Sequence, residues 1–387
     1  MSWQDGDLGA FLTLKRGHDL PNGSRKAGDI PVVSSSGFTG WHNEAKAEPP
    51  GVVTGRYGTI GEVFYVDQPY WPLNTALYVI DFKGNDPRFI SYFLRQHLKN
   101  YKSEKAAVPG VDRKVLHKLS ARCPDLQIQQ SIVRILSAYD DLIENNRRRI
   151  KLLEESARQL YKEWFVRFRF PGHEHVKIVD GVPEGWERVL FSEMADVLRG
   201  RSYTSAELRD EGGRAFVNLK CINRFGGFRD TGVKGIEGDF REKHMVSPGD
   251  IVMAVTDMTR DAMIVAQSGR ISKTVEADAI FSMDLVKIVP KPEIQRDWLY
   301  SLLRFSNFAF DVREHANGTN VLHLKPKHIE EWKGFLPSES VRDWFAESVQ
   351  PVFDQIDNLQ LQSRNAAKAR DLLLPRLLSG QIKVEVA

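Results

Sequence analysis

The sequence predicts an α+β chain in which two similar mixed α/β domains are separated by an antiparallel coiled coil of two long helices, an internal repeat of pseudo-two-fold character. Three observations predict it. Apolar residues recur at steps of three and four over Pro124–Phe165 and again over Val341–Leu378, the two stretches share a register, and the segments before them repeat one order of strands, turns and helix. The expected parts are a first domain over 1–122, a long helix over 123–170, a second domain over 171–338 and a C-terminal long helix over 339–387.

The first domain opens at Trp3. Phe11 to Gly17 reads as a strand or turn, Ile30 to Val33 as a second strand, and Gly51 to Tyr65 as two strands around a tight loop. Gly55, Gly58 and Gly61 free that loop, so Arg56, Tyr57 and Thr59 project where the backbone can approach a ligand closely. Asn74 to Ile80 is a further strand and Arg88 to His97 a helix.

The first long helix carries Ile128, Ile132, Ile135, Tyr139, Ile143, Asn146, Ile150, Leu153, Ala157, Leu160 and Trp164 on one stripe. Pro124 suits its first turn, and Pro171-Gly172 blocks its continuation. At about 1.5 Å per residue it reaches roughly 60 Å, the length of a spacer. Asn145 and Asn146 stand at this stripe; a polar seam residue costs stability and fixes register, whereas an exposed one does neither.

The second domain repeats the order of the first. A shift of 183 carries Trp3 to Trp186, Arg16 to Arg199 and Gly17 to Gly200; a shift of 184 carries Val33 to Val217; a shift of 209 carries Phe89-Ile90 to Trp298-Leu299. The second long helix places Phe345, Val349, Val352, Ile356, Leu359, Ser363, Ala366, Arg370, Leu373 and Leu377 on its stripe, and a shift of 213 carries Pro124 to Pro337 and Ile143 to Ile356. Pro351 is expected to kink this helix, Pro375 to bend or end it, and Gly380 to cap it.

Composition narrows the class. The 387 residues suggest two domains, and 42% hydrophobic with 27% charged residues is ordinary soluble protein. No apolar run reaches the roughly twenty residues that span a bilayer, and the N-terminus lacks a basic and apolar leader, which points to a cytoplasmic protein without a membrane partner. Cys123 and Cys221 have neither disulfide nor zinc spacing. A net charge of +3 permits a nucleic-acid partner, and Arg147, Arg148, Arg149, Lys151, Lys162, Arg167 and Arg169 read as a solvated helix face or as phosphate contacts.

Motifs for catalysis are missing. The sequence has no GxxxxGK[ST], GxGxxG, HExxH or GxSxG, and no Asn-Pro-Pro-aromatic tetrapeptide. Glu331-Trp-Lys333 with Asp250 has the outline of a metal nuclease but reads as surface charge, and His173 and His175 form a lone HxH. The chain is expected not to be an enzyme.

Leu126-Gln-Ile-Gln-Gln-Ser-Ile-Val-Arg-Ile-Leu136 with Asp141-Leu-Ile-Glu144, and Leu372-Leu-Leu-Pro-Arg-Leu-Leu-Ser-Gly-Gln-Ile382, stand in order within the repeat. With the loops at Gly55 to Gly61 and Gly318-Thr-Asn320, they make the whole chain resemble the specificity subunit of type I restriction–modification systems. The resemblance implies two target recognition domains that each read one half of a split site in double-stranded DNA, with the paired helices as a ruler. It implies two methyltransferase subunits and motor–nuclease subunits as partners, which carry S-adenosylmethionine, ATP and Mg²⁺, and no cofactor in this chain.

Arg and Lys at loop tips neutralise phosphates, while Arg to guanine and Asn to adenine make bidentate base contacts. The candidates are Arg16, Arg25, Lys26, Arg56, Tyr57 and Asn74 in the first domain, and Arg201, Lys220, Arg224, Arg260, Asn320, His323 and Lys325 in the second. Asp112, aligned with Asn320, would repel a phosphate unless Arg113 and Lys114 offset it. The alternative is a protein-interaction scaffold of a related defence complex, without sequence-specific readout of its own.

Overall fold

The computed structural model describes residues 2–57, 61–99, 111–210, 212–258, 262–319 and 321–385. The chain divides into two compact units, 1–142 with 366–387 and 143–365, so each unit holds one stretch of each long helix. No described helix is long and apolar enough to cross a membrane.

In the first unit β1 (Trp3–Asp7) passes through a helical turn, α1 (Leu8–Phe11), into β2 (Thr13–Arg16). The stretch read as one strand or turn is thus split, because Leu8, Phe11 and Leu12 all turn into one core. Then follow β3 (Ile30–Ser34), β4 (Gly37–His42), β5 (Gly51–Gly55), β6 (Val63–Val66), β7 (Trp71–Pro72) and β8 (Ala76–Asp81). They form a four-stranded sheet ordered β2-β8-β5-β6 and a three-stranded sheet ordered β4-β3-β7. Helix α2 (Pro87–Leu98) starts where the Asp86 carboxylate accepts the Phe89 N–H at 2.8 Å, and it buries Phe89, Ile90, Phe93 and Leu94 against the larger sheet. The unit closes with α3 (Arg113–His117), β9 (Ser120–Pro124), antiparallel to β1, and the first part of α4 (Leu126–Tyr161).

Pro124 therefore ends a strand instead of opening the helix. Asp125 supplies the cap, its carboxylate accepting the Ile128 N–H at 3.1 Å. On the helix Ile128, Ile132 and Leu136 are buried, while Ile135, placed on the stripe by the sequence, is exposed.

The second unit contains β10 (Ile178–Val179), β11 (Val182–Pro183), β12 (Glu187–Leu190), α5 (Phe191–Met194), β13 (Ala195–Arg199), β14 (Leu208–Arg209), β15 (Arg214–Val217), β16 (Lys234–Ile236) and β17 (Met245–Val246). It continues through β18 (Ile251–Ala254), β19 (Thr256–Asp257), β20 (Ser268–Arg270), β21 (Ala279–Phe281), β22 (Leu285–Pro290), α6 (Arg296–Phe305) and α7 (Phe308–Arg313). Last come β23 (Leu322–His323), α8 (Pro326–Glu330), β24 (Lys333–Leu336) and α9 (Glu339–Leu378). Its sheet order β13-β22-β18-β20 repeats that of the first unit, and β15 runs parallel to β21 as β3 does to β7. A Cβ at Gly17 would lie 2.2 Å from the Leu73 carbonyl oxygen, and one at Gly200 would lie 2.1 Å from that of Ser282. Only glycine fits these two crossings.

Each unit contains its own stretch of antiparallel helix pairing. In the first, Ile128, Ile132 and Leu136 share a core with Leu374, Leu377 and Leu378, and Arg370 Nη1 reaches Asp140 Oδ1 at 2.5 Å. Arg370, a charged residue on the apolar stripe, thus ties the helices together through Asp140. In the second, Tyr161 and Trp164 pack on Phe345, and Asn146, fully buried, donates to the Leu359 carbonyl at 3.5 Å. Asn145 is exposed.

Helix α9 continues through Pro351 and Pro375 to Leu378, so Pro375 does not end it. Pro351 is exposed and Pro375 lies in the last turn, so each removes one N–H from the ladder without stopping it. The helix ends at Leu378, with Gly380 left-handed at φ 72° as its sequence predicts. Helix α4 passes into a π-type turn at Lys162–Val166, short of Pro171.

Equivalent latches fasten the long helices to their domains. Gln129 donates from Nε2 to the Pro124 carbonyl at 2.8 Å, and its Oε1 accepts the Asp86 N–H at 2.9 Å. Arg342, 213 residues on, donates to the Pro337 carbonyl at 2.8 Å and to Gln295 Oε1 at 3.1 Å. Asp86 and Gln295 occupy the same place, the residue before α2 and before α6.

Candidate nucleic-acid interface

Four of the six first-domain candidates are drawn into one cluster. The backbone N–H groups of Arg56 and Tyr57 donate to the Thr75 carbonyl at 2.9 and 3.3 Å, which turns the chain outward at the end of β5. The Arg56 guanidinium lies 4.5 Å from the centre of the Tyr57 ring and reaches the Asn74 carbonyl at 3.5 Å. Asp19 bridges the next pair, accepting from Asn74 Nδ2 and, at 3.3 Å, from Arg16. Gly58 and Thr59 lie outside the described residues.

Arg25 and Lys26 belong to β4 instead. Arg25 Nη1 donates to the Thr39 carbonyl at 2.7 Å, and the Lys26 N–H donates to His42 Nδ1 at 3.1 Å. The Lys26 side chain is exposed. His18, near the cluster, contacts Tyr78 Oη at 3.3 Å. Burial, and after it the charges of Lys15 and Lys46, hold its pKa below the ordinary histidine value against the opposing pull of Asp19. Lys15, His18 and Lys46 were not singled out from the sequence, where isolated cations carry no signal; the fold collects them.

The second-domain candidates are less gathered. Arg201 Nη2 pairs with Glu207 at 2.6 Å and its guanidinium stacks on Phe240 at 5.0 Å, so its charge is engaged internally. Lys220 is exposed above a turn whose carbonyl accepts two bonds from Arg229, at 2.9 and 2.6 Å. Arg224 is exposed and has no ion pair among the described residues. His323 is exposed on β23, paired with Thr256 of β19, and Lys325 is exposed at the start of α8. Arg260 and Asn320 lie outside the described residues.

Asp112 accepts the Lys114 N–H at 2.8 Å and caps α3. The shift of 213 that carries the long helices aligns it with Lys325 at the start of α8, so it is a helix cap and not the counterpart of Asn320. The residues weighed as catalytic alternatives have other partners. Asp250 pairs with Lys287 at 2.7 Å, Glu331 with Lys327 at 3.4 Å, and His173 and His175 both face Glu174. Among the described residues no group of His, Cys, Asp and Glu side chains could hold a metal ion. Burial pushes both thiols, Cys123 and Cys221, up to about 12, which leaves them unreactive.

Fold and surface define a duplicated α+β protein: two units of one sheet order, each continuous with long helices, with Arg56 and Tyr57 presented together at the end of β5. Known proteins resemble it in sequence and in fold. Residues 2–155 match the model of the Type I restriction modification DNA specificity domain. The MjaIX type I restriction enzyme specificity subunit of Methanocaldococcus jannaschii is 26% identical over 306 residues, 76% of this chain and 67% of the relative. The HindI specificity subunit of Haemophilus influenzae is 21% identical over 345 residues, 72% of each chain. The crystal structure of a type I restriction–modification S subunit from M. genitalium shares the fold, with a TM-score of 0.57 at 14% identity over 97% of this chain and 96% of that one. The chain resembles the specificity subunit of type I restriction–modification systems.

Proposed function

We propose that this chain is the non-catalytic DNA sequence-recognition subunit of a type I restriction–modification complex. It reads a bipartite site in double-stranded DNA, one domain to each half, and the paired helices set the gap. The observation that carries this reading is the repeat itself: two units with one strand order, each joined to long helices by an equivalent latch at Gln129 or Arg342. In this reading the first target recognition domain spans 1–122 and the second 171–338, with spacer helices over 123–170 and 339–387. Two methyltransferase subunits bind it, and motor–nuclease subunits complete the assembly in the cytoplasm. S-adenosylmethionine, ATP and Mg²⁺ are held by those partners.

Within the first domain, Arg56 and Asn74 make the base contacts, with Arg16 and Lys26 on phosphates. Within the second, Lys220, Arg224, Arg260 and Lys325 neutralise phosphates, while Asn320 and His323 approach base edges. Tyr57 holds the Arg56 guanidinium flat, and Arg25 and Arg201 brace the loops behind these contacts. The test is competition binding by the chain with its methyltransferase on duplexes substituted one base pair at a time. Discrimination in two separated blocks supports the reading; binding without any sequence preference overturns it.

A further inference from the structure

Strand β4 of the first unit exposes two large aromatic side chains, Phe38 at 58% and Trp41 at 57% of their accessible surface. Such rings on a short edge strand are a liability unless something covers them. Their display is built. The β3–β4 register slips by one residue between Val33↔Phe38 and Pro31↔Trp41, so that Thr39 and Gly40 together face Val32 in a bulge. Arg25 fills the bulge: Nη1 takes the Thr39 carbonyl at 2.7 Å, and a Cβ on Gly40, whose φ is +140°, would lie 2.7 Å from that same nitrogen. Its Nε is buried without a partner among the described residues. The arginine is thus a fixture that holds the bulge open.

The ridge is continuous with the Arg56 cluster. The turn after β3 approaches Thr75, with the Ser35 N–H 3.5 Å from Thr75 Oγ1, and the Thr75 carbonyl is the acceptor that orients Arg56 and Tyr57. Beyond Trp41 the strand ends at His42, which accepts the Lys26 N–H and packs edge-on against Trp71, the ring that Lys46 overlies. Lys26, exposed, therefore stands by the Trp41 end of the strand and Arg56 beyond the turn at the Phe38 end, while Lys46 is paired with Glu44. That pattern, positive groups flanking apolar rings, matches a duplex groove, where phosphates border the base edges and the thymine methyl is the apolar group on offer.

We infer that Phe38 and Trp41 are specificity-determining side chains for the first half-site, making apolar contact with thymine-bearing base pairs of duplex DNA, and that Arg25 is the positioning residue that aims them. This rests on the reading of the chain as a DNA-recognition subunit. The second unit builds no such ridge at the matching strand β16, where Gly235 and Ile236 are buried, so the two half-sites are read by different chemistry.

The test uses the full chain with its methyltransferase and labelled duplexes carrying its methylated site. Replacing thymine by deoxyuridine, one position at a time, removes only the methyl group. Wild type is expected to lose about five- to a hundredfold in affinity at one or two adjacent positions of a single half-site, the range of one good base contact. Phe38→Ala or Trp41→Ala is expected to abolish that difference while leaving the other half-site and the salt dependence unchanged. Arg25→Ala is expected to give the same relaxed pattern, and Arg25→Lys to restore part of it. Equal binding of thymine and deoxyuridine duplexes by wild type, or a Phe38→Ala, Trp41→Ala double variant with unaltered discrimination, overturns the inference. A wild-type complex that prefers no sequence overturns instead the functional reading beneath it.

Discussion

Arg56 is placed by backbone alone. Its N–H and that of Tyr57 share the Thr75 carbonyl, and its guanidinium rests on the Tyr57 ring, so the charge is presented without an ion-pair partner among the described residues. Arg56→Ala is therefore expected to relax one half-site by about 1–3 kcal/mol and leave the other unaffected, as read by competition binding. Buried charge gives a second prediction. Asp297 and Asp357 surround Arg270, with Asp357 Oδ2 at 2.6 Å and Asp297 Oδ1 at 3.7 Å, and burial raises both carboxyl pKa values against the pull of Arg270. A raised pKa means that the folded state holds its proton more tightly than the unfolded state. The contribution of these groups thus favours folding as pH falls through the raised values and is lost as pH rises above them. Asp297→Asn is expected to flatten the dependence of thermal unfolding on pH from the ordinary carboxylate range upward; an unchanged slope would contradict this assignment. Of these features Arg56 was legible in the sequence because flanking glycines announce a loop. The Asp297–Arg270–Asp357 group was not, because its members come from three distant elements.

At the scale of elements, helix pairing was readable from apolar spacing, but its details follow packing. Ile135 gave way to Leu136, and both prolines of α9 were absorbed, one at an exposed position and one in the last turn. Asn146 lies in the seam with its Oδ1 buried and without a partner among the described residues. Leaving such an atom without a hydrogen bond costs about 1–3 kcal/mol, so Asn146→Leu is expected to raise the unfolding midpoint in thermal denaturation, whereas a fall would show that the 3.5 Å bond to Leu359 outweighs the orphaned oxygen. The crossings at Gly17 and Gly200 belong to this scale too. Their carbonyl neighbours are backbone atoms that cannot step aside, and Gly17→Ala is expected to destabilise the first unit by about 1–3 kcal/mol in denaturant titration. The sequence displayed these glycines as a repeat without displaying why, since the strand that each one crosses lies tens of residues away.

For the molecule as a whole, the duplicated order of strands and helices was legible because the offsets of 183 and 213 preserve it through divergent loops. The proposed reading surface was legible only in part: nothing in the Gly-Phe-Thr-Gly-Trp stretch singles out Phe38 and Trp41, which the bulge in β4 leaves exposed together. The account stands on one claim, that two reading domains address two half-sites across a gap set by the helices. Sequencing methylated adenines in a host that expresses this chain with its methyltransferase tests it directly. The wild-type chain is expected to mark a split site with one fixed gap. Inserting four residues into each long helix lengthens the rods by about 6 Å, so the gap is expected to grow by about one to two base pairs with both half-site sequences retained. An undivided site, or a gap that stays the same after the insertion, would contradict the claim.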